Sequence, residues 1–365
     1  MSTITTRRLP QLDWQERFFV SLKSSNKFFT PVGVPESPIL PFPLPEDTSI
    51  EDFNPHVFSE ALTGYNQRVL LVMQKILAQE LPELAGQPHI CIATTGSDGR
   101  EEKMRAAASP FDLIVLVDEK ANVQSTLIAK IQKFITDHPI LFCQEWELKC
   151  LDSDNLLCYS EEKDPSKPQK VRPFPTIGLD ALHLAGNPSV FEDYKSRYFK
   201  TLYTPGSGHL IRDFYKHNIK QHLHGLDRIL QNQSTDLSLE TGLVNYDGER
   251  VKATKFPLLR VVQYTLAYKI FKWVNTGKLS WEDFSQLPKN TVDRMQWLAS
   301  KNLLKIPPGE LQNLQQSYIA SLIWLEQSQR LYGREGQIQT RAEPELLRRT
   351  VTCISHFRNT ILEKE

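Results

Sequence analysis

The chain has 365 residues, 40% of them hydrophobic, which is enough to bury one large core or two smaller ones. Its 43 lysines and arginines equal its 43 aspartates and glutamates, so no global charge favours nucleic acid or a membrane surface as a partner. No apolar run is long enough to span a bilayer, no apolar segment follows Arg7 and Arg8 as a secretory signal requires, and the five cysteines include no C-x-x-C pair. The sequence therefore predicts a cytoplasmic chain with reduced thiols, and the spacing of Cys143, Cys150 and Cys158 matches no zinc pattern.

Residues 1–50 hold a short helical pattern over 14–22 and then the proline-dense runs 31–38 and 41–45. That proline density forbids helix and central strand, and it predicts an extended arm laid on the surface or a flexible lead-in. A ligand for a domain that reads polyproline helices is the alternative. Over 50–84, Leu62, Val69, Leu70, Met73, Ile76, Leu77 and Leu81 recur at helical spacing, so one or two amphipathic helices are expected, ending near Gly86. The short apolar runs 89–94 and 112–117 suit buried strands, 101–107 is helix-compatible, and 123–134 reads as a helix. Residues 142–151 alternate, with Glu145, Glu147 and Lys149 on one face and Trp146 and Leu148 on the other, as in a half-exposed strand. A polar loop is expected over 160–172.

From residue 176 the pattern becomes helical to the end, with segments at 179–186, 189–202, 209–230, 256–275, 281–299, 309–331 and 344–363. Glycine and proline interrupt it at 205–208, Gly242, Gly277 and 307–308. Three parts follow: an arm over 1–50, a small α/β domain with leading helices over 51–175, and a helical bundle over 176–365.

One stretch carries chemistry. A strand runs into Gly96-Ser97-Asp98-Gly99-Arg100-Glu101-Glu102, and a second strand opens at Ser109-Pro110-Phe111-Asp112. Backbone amides converge where a strand gives way to a helix start, and such amides bind phosphate oxygens. Gly96 permits close approach, Ser97 adds a hydroxyl, and Arg100 and Lys103 add positive charge nearby. The same residues also suit an ordinary strand-to-helix turn. Side chains at i and i+2 of a strand share a face, which is how paired carboxylates hold two metal ions in phosphoryl transfer. Here that relation joins Asp112 to Pro110.

The run from Gly96 through Gly99-Arg100-x-Glu102 to Asp112-Leu-Ile-Val-Leu116 resembles the N-terminal domain of PII-protein uridylyltransferases and their relatives, often joined to CBS domains. Two further segments resemble the family in the expected order: Leu179-Asp180 through Gly186-Asn187, and Lys255-Phe-Pro-Leu-Leu259-Arg260. The resemblance covers roughly residues 60–335. It implies a small nucleotidyltransferase-type mixed sheet with flanking helices followed by a helical bundle, and transfer of a nucleoside monophosphate from an NTP to a protein acceptor. It further implies Mg²⁺ or Mn²⁺ on Asp112, phosphates at Gly96, Ser97 and Gly99, Arg100 beside the pyrophosphate, and Lys255 and Arg260 facing the nucleotide cleft. Nucleic acid and membrane are not among the implied partners.

The sequence departs from the family at telling places. Pro110 stands where a metal-binding aspartate is usual, Leu182 replaces an arginine, and Pro257 replaces a glycine. Proline offers no side-chain ligand atom and no backbone donor. Asp118 has the right strand parity but lies about 20 Å along the strand. Asp98 is near in the loop, and Glu145 or Glu147 can stand on the neighbouring strand, with Glu147 as base. A solvated face is the competing reading for that pair. His183, His217, His222 and His224 lack metal-pair spacing, and no His-Asp dipeptide marks a hydrolase domain that removes the nucleotide. Three functions remain: a uridylyltransferase-like enzyme, a degenerate relative acting as a regulatory nucleotide-binding or protein-interaction module, or a partner-binding helical bundle with the α/β part as its scaffold.

Overall fold

The structure is a computed structural model that describes residues 54–103, 110–118, 124–138, 142–143, 146–152, 156–160, 171–220, 226, 243–246, 249–252, 258–332 and 344–362. The proline-rich arm, Glu145, Lys255, His222, His224 and most of the expected polar loop lie outside the described residues. The chain runs α1 (Pro55–Glu80), a 3-10 turn (Pro82–Gly86), β1 (Ile90–Thr94), one helical turn (Gly96–Gly99), β2 (Leu113–Val117) and α2 (Ser125–Asp137). Next come β3 (Glu147–Cys150), β4 (Cys158–Ser160), β5 (Val171–Pro173), a second helical turn (Thr176–Leu179), β6 (Leu182–Gly186) and α3 (Pro188–Tyr203). The remainder holds α4 (Gly208–Phe214), a π-helical turn (Tyr215–Ile219), β7 (Leu243–Tyr246), β8 (Glu249–Lys252), α5 (Val261–Asn275), α6 (Trp281–Ser285), α7 (Thr291–Ser300), α8 (Pro308–Tyr332) and α9 (Pro344–Leu362).

The main sheet is mixed and four-stranded, in the order β3-β2-β1-β6. β1 pairs antiparallel with β2 and β6, and β2 pairs parallel with β3. Every residue of β1 and β2 is buried, because helices cover both faces. Alternation sorts the side chains. Ile90, Ile92, Leu113, Val115 and Val117 join the core under α1 and α2, whereas Cys91, Ala93, Ile114 and Leu116 meet Val190, Phe191 and Tyr194 of α3. α1 begins where its pattern predicts: Asn54 Oδ1 accepts from the amides of His56 (2.9 Å) and Val57 (3.4 Å), and Pro55 fills the first helical position. α5 is buried on nearly every side and forms the centre of the helical half. Among the described residues no helix is long and apolar enough to cross a membrane.

Several expectations need correction. The 179–186 segment is not a helix: Leu182–Gly186 pairs with β1, Ala93 opposite His183 and Thr94 opposite Leu182. Leu-His-Leu-Ala-Gly is too short to separate a strand period from a helical one. Helix does not begin at 101 either; the helical turn is Gly96–Gly99, and Glu101 has φ 58°. The 281–299 helix is two, broken around Pro288; the 209–230 helix is present over 208–220 and at Leu226 with a π turn inside it at Tyr215–Ile219, and its other residues lie outside those described. The hairpin β7–β8 was not predicted, although it flanks Asp247-Gly248, a dipeptide that signals two-residue hairpins.

Candidate functional site

Thr94 and Asp112 mark the end of β1 and the approach to β2. The Asp112 carbonyl accepts from the Thr95 amide at 3.0 Å and from Thr94 Oγ1 at 2.9 Å, which fixes the two strand ends together. Asp112 shares its face with Ile114, and β3 sets Glu147 opposite Ile114 and Lys149 opposite Leu116. Asp112 and Glu147 therefore face the same side of the sheet, towards α3. Gly96 supports the arrangement in two ways. Its φ is +64°, and a Cβ there would lie 3.1 Å from Asp112 Oδ2.

A cleft of about 380 Å³ opens at this point. Of the residues expected from sequence, Gly96, Arg100, Asp112, Glu147 and Arg260 line it, together with Asp180; Ser97 and Gly99 do not. Apolar walls come from Leu113, Ile114, Phe174 and Ile177, with Thr95, Thr176 and Asn218 among them. Arg260 stands at the head of α5, its guanidinium 5.2 Å over the Tyr264 ring and 3.5 Å from Gln263 Oε1. That contact offsets the unfavourable placement of a cation at a helix start. Among the described residues, no group hydrogen-bonds or ion-pairs with the carboxylate of Asp112.

The other charged groups are already engaged. Lys149 is buried, and its ammonium lies 2.7 Å from Glu147 Oε2 and donates to the Cys158 carbonyl at 2.6 Å. Glu147 and Lys149 are thus not a solvated face, and Glu147 is held in an ion pair where a free base was expected. Arg100 donates to Glu102 Oε2 at 2.9 Å and to Asp180 Oδ2 at 2.5 Å. Burial pulls its pKa down, but Asp180 and Glu102 outweigh that and hold it above the ordinary arginine value. Arg294 reaches Asp180 Oδ1 at 3.1 Å and takes the carbonyls of Pro288 and Lys289. Glu102 in turn accepts from Tyr318 at 2.8 Å and from the Thr291 amide, while Gln263 donates to the Tyr318 hydroxyl at 2.7 Å.

The Gly-Arg-x-Glu run consequently straps the sheet to the helical half. Glu101 belongs to the same strap: its left-handed backbone costs about 1 kcal/mol, and its carboxylate is held by Gln67 (3.2 Å) and Lys289 (3.0 Å). Asp98 is taken by Lys103, whose ammonium lies 2.5 Å both from Asp98 Oδ2 and from the Pro110 carbonyl. Asp118 meets His89 at 2.5 Å at the far end of β2. Lys195 donates to the carbonyls of Gly178 and Leu179; burial lowers its pKa to about 8, with Asp180 opposing.

Sequence reasoning placed Lys149 on the face of Glu147 without giving it a role, and passed over Arg294, Tyr318 and Gln263. The available signal was a polar residue on an otherwise apolar helix face, as with Gln263 beside Leu266 and Ala267 in α5. Beside Glu147, Tyr194 is fully buried, and its hydroxyl has no hydrogen-bond partner among the described residues. Burial first, then Glu147 and Cys91, push its pKa up. An unsatisfied buried hydroxyl costs roughly 1–3 kcal/mol, so Tyr194→Phe is expected to stabilise the protein by about 1 kcal/mol. A urea midpoint unchanged or lowered in this variant refutes that expectation.

A pair of Mg²⁺ or Mn²⁺ ions needs several unengaged carboxylates. Among the described residues no group of three or more His, Cys, Asp or Glu side chains can hold a metal. Of the three described carboxylates in the cleft, Glu147 and Asp180 already have cationic partners, so the donor set among the described residues does not fit two ions. In comparisons with known proteins, no family model and no curated protein matches the chain.

Proposed function

We propose that this chain is a nucleotidyltransferase-type protein that keeps the nucleotide cleft and has lost the transfer chemistry, so that it works as a nucleotide-binding regulatory or interaction module. The observation that supports it most is the gathering of Gly96, Arg100, Asp112, Glu147, Asp180 and Arg260 in one cleft, with only Asp112 among its carboxylates left without a cationic partner among the described residues. Phosphoryl-type transfer draws its rate mainly from metal-borne charge and a well-placed base. The Pro110 side chain supplies no ligand, and Glu147 is tied to Lys149. A nucleotide ring fits against Phe174 and Ile177, and among the described lining residues Arg260 is the cation without a carboxylate partner, placed to take its phosphate.

Calorimetry on the purified chain tests this reading. Saturable binding of at least one nucleotide is expected, weakened at least tenfold by Arg260→Ala. Labelled ATP, CTP, GTP or UTP, incubated with Mg²⁺ or Mn²⁺ and a cell extract, is expected to leave no label on protein. Label transfer that disappears in Asp112→Ala supports the active-enzyme reading instead, for which the unpaired Asp112 carboxylate is the supporting observation.

A further inference from the structure

We infer that the cleft selects a nucleotide of low charge, a nucleoside monophosphate taken without a divalent cation; this rests on the cleft being a nucleotide site. The argument is a balance of charge. Arg100, Arg294, Asp180 and Glu102 close on one another as two cations and two anions, all buried. Lys149 and Glu147 close as a pair. Among the described residues that line the cleft, Asp112 and Arg260 are the only charges without an ionic partner, one of each sign; behind the wall, Lys195 is spent on the carbonyls of Gly178 and Leu179.

A triphosphate normally enters with Mg²⁺ bridging its phosphates to protein carboxylates. Of the two guanidinium groups that line the cleft, Arg100 is neutralised by Asp180 and Glu102, and Arg260 alone has no carboxylate partner among the described residues. Asp112 repels any phosphate that extends towards Gly96. A single phosphate matches one guanidinium, which can grip two of its oxygens. An ionised carboxylate is an acceptor only, so Asp112 suits the ribose hydroxyls or an exocyclic amine of the base as donors. Phe174 and Ile177 then flank the ring. In this arrangement Lys149 is a specificity residue: its ammonium cancels the Glu147 charge that otherwise attracts a metal and repels a bare phosphate.

The test uses the full chain, with AMP, CMP, GMP and UMP and the four matching triphosphates titrated separately in EDTA and in Mg²⁺. At least one monophosphate should bind with the same Kd in both buffers, at least tenfold tighter than its triphosphate. Lys149→Met should weaken that binding about tenfold, and adding Glu147→Gln to it should restore affinity, with urea midpoints confirming that both variants fold. Tighter binding of a triphosphate with Mg²⁺, or loss of monophosphate binding in EDTA, overturns the inference while leaving a nucleotide cleft. Failure of every nucleotide to bind removes the reading beneath it as well.

Discussion

Asp180→Ala is expected to lower the stability of the folded chain by about 3–5 kcal/mol, the cost of stranding buried charge. Asp180 sits between two guanidinium groups, 2.5 Å from Arg100 and 3.1 Å from Arg294, and all three side chains are 5% exposed or less. Arginine cannot escape by losing its proton at any ordinary pH. Arg100 keeps Glu102, but Arg294 is left with the carbonyls of Pro288 and Lys289, which are dipoles and not counter-charges. Asp180→Asn preserves size and an acceptor oxygen, so about half the loss is expected. Urea midpoints at constant slope measure both effects. A loss below about 1 kcal/mol for the alanine variant, a size typical of exposed ion pairs, means that the strap does not bind the two halves of the chain as described.

Gly99→Ala is expected to cost about 3 kcal/mol, at the upper end of overpacking penalties. A Cβ on Gly99 would lie 1.7 Å from the Asp180 carbonyl oxygen, 2.9 Å from its carbon and 3.3 Å from the Thr94 carbonyl oxygen. All three are backbone atoms, so no rotamer change relieves the clash and the turn must shift away from Asp180. Because Arg100 follows directly, that shift also loosens its 2.5 Å contact with Asp180. Gly86→Ala is the control, since nothing lies within 4 Å of a Cβ there, and its midpoint should be almost unchanged. Equal behaviour of the two variants contradicts the close approach at Gly99.

The two expectations converge on one segment with a double role. The Gly-Arg-x-Glu run was read as phosphate chemistry, yet Arg100 and Glu102 face buried partners in the helical half. Arg100 and Asp180 also line the cleft, so the wall of the cleft and the strap are one structure. Fully paired, such a network holds the wall in a single arrangement; with one member removed it becomes a source of unpaired charge.

What the sequence determined by itself was local. Helical period placed α1, α2, α3, α8 and α9 within a few residues, because burying one face of a helix imposes a 3.6-residue repeat that needs no knowledge of the partner. The two central strands were legible as short apolar runs, and Gly96 and Asp112 as neighbours of a turn. Only the tertiary structure decided that 182–186 is a strand, since five residues carry too little periodicity and the hydrogen bonds that choose come from β1.

It also decided the state of every charge at the cleft. Arg100 meets a carboxylate 80 residues away, Glu102 a hydroxyl 216 residues away, and Lys149 turns inward against Glu147. A charged side chain reads the same in sequence whether solvated or buried. Its partner, and hence whether it remains available to a ligand or a metal, is set by which distant residues the fold brings within about 3 Å.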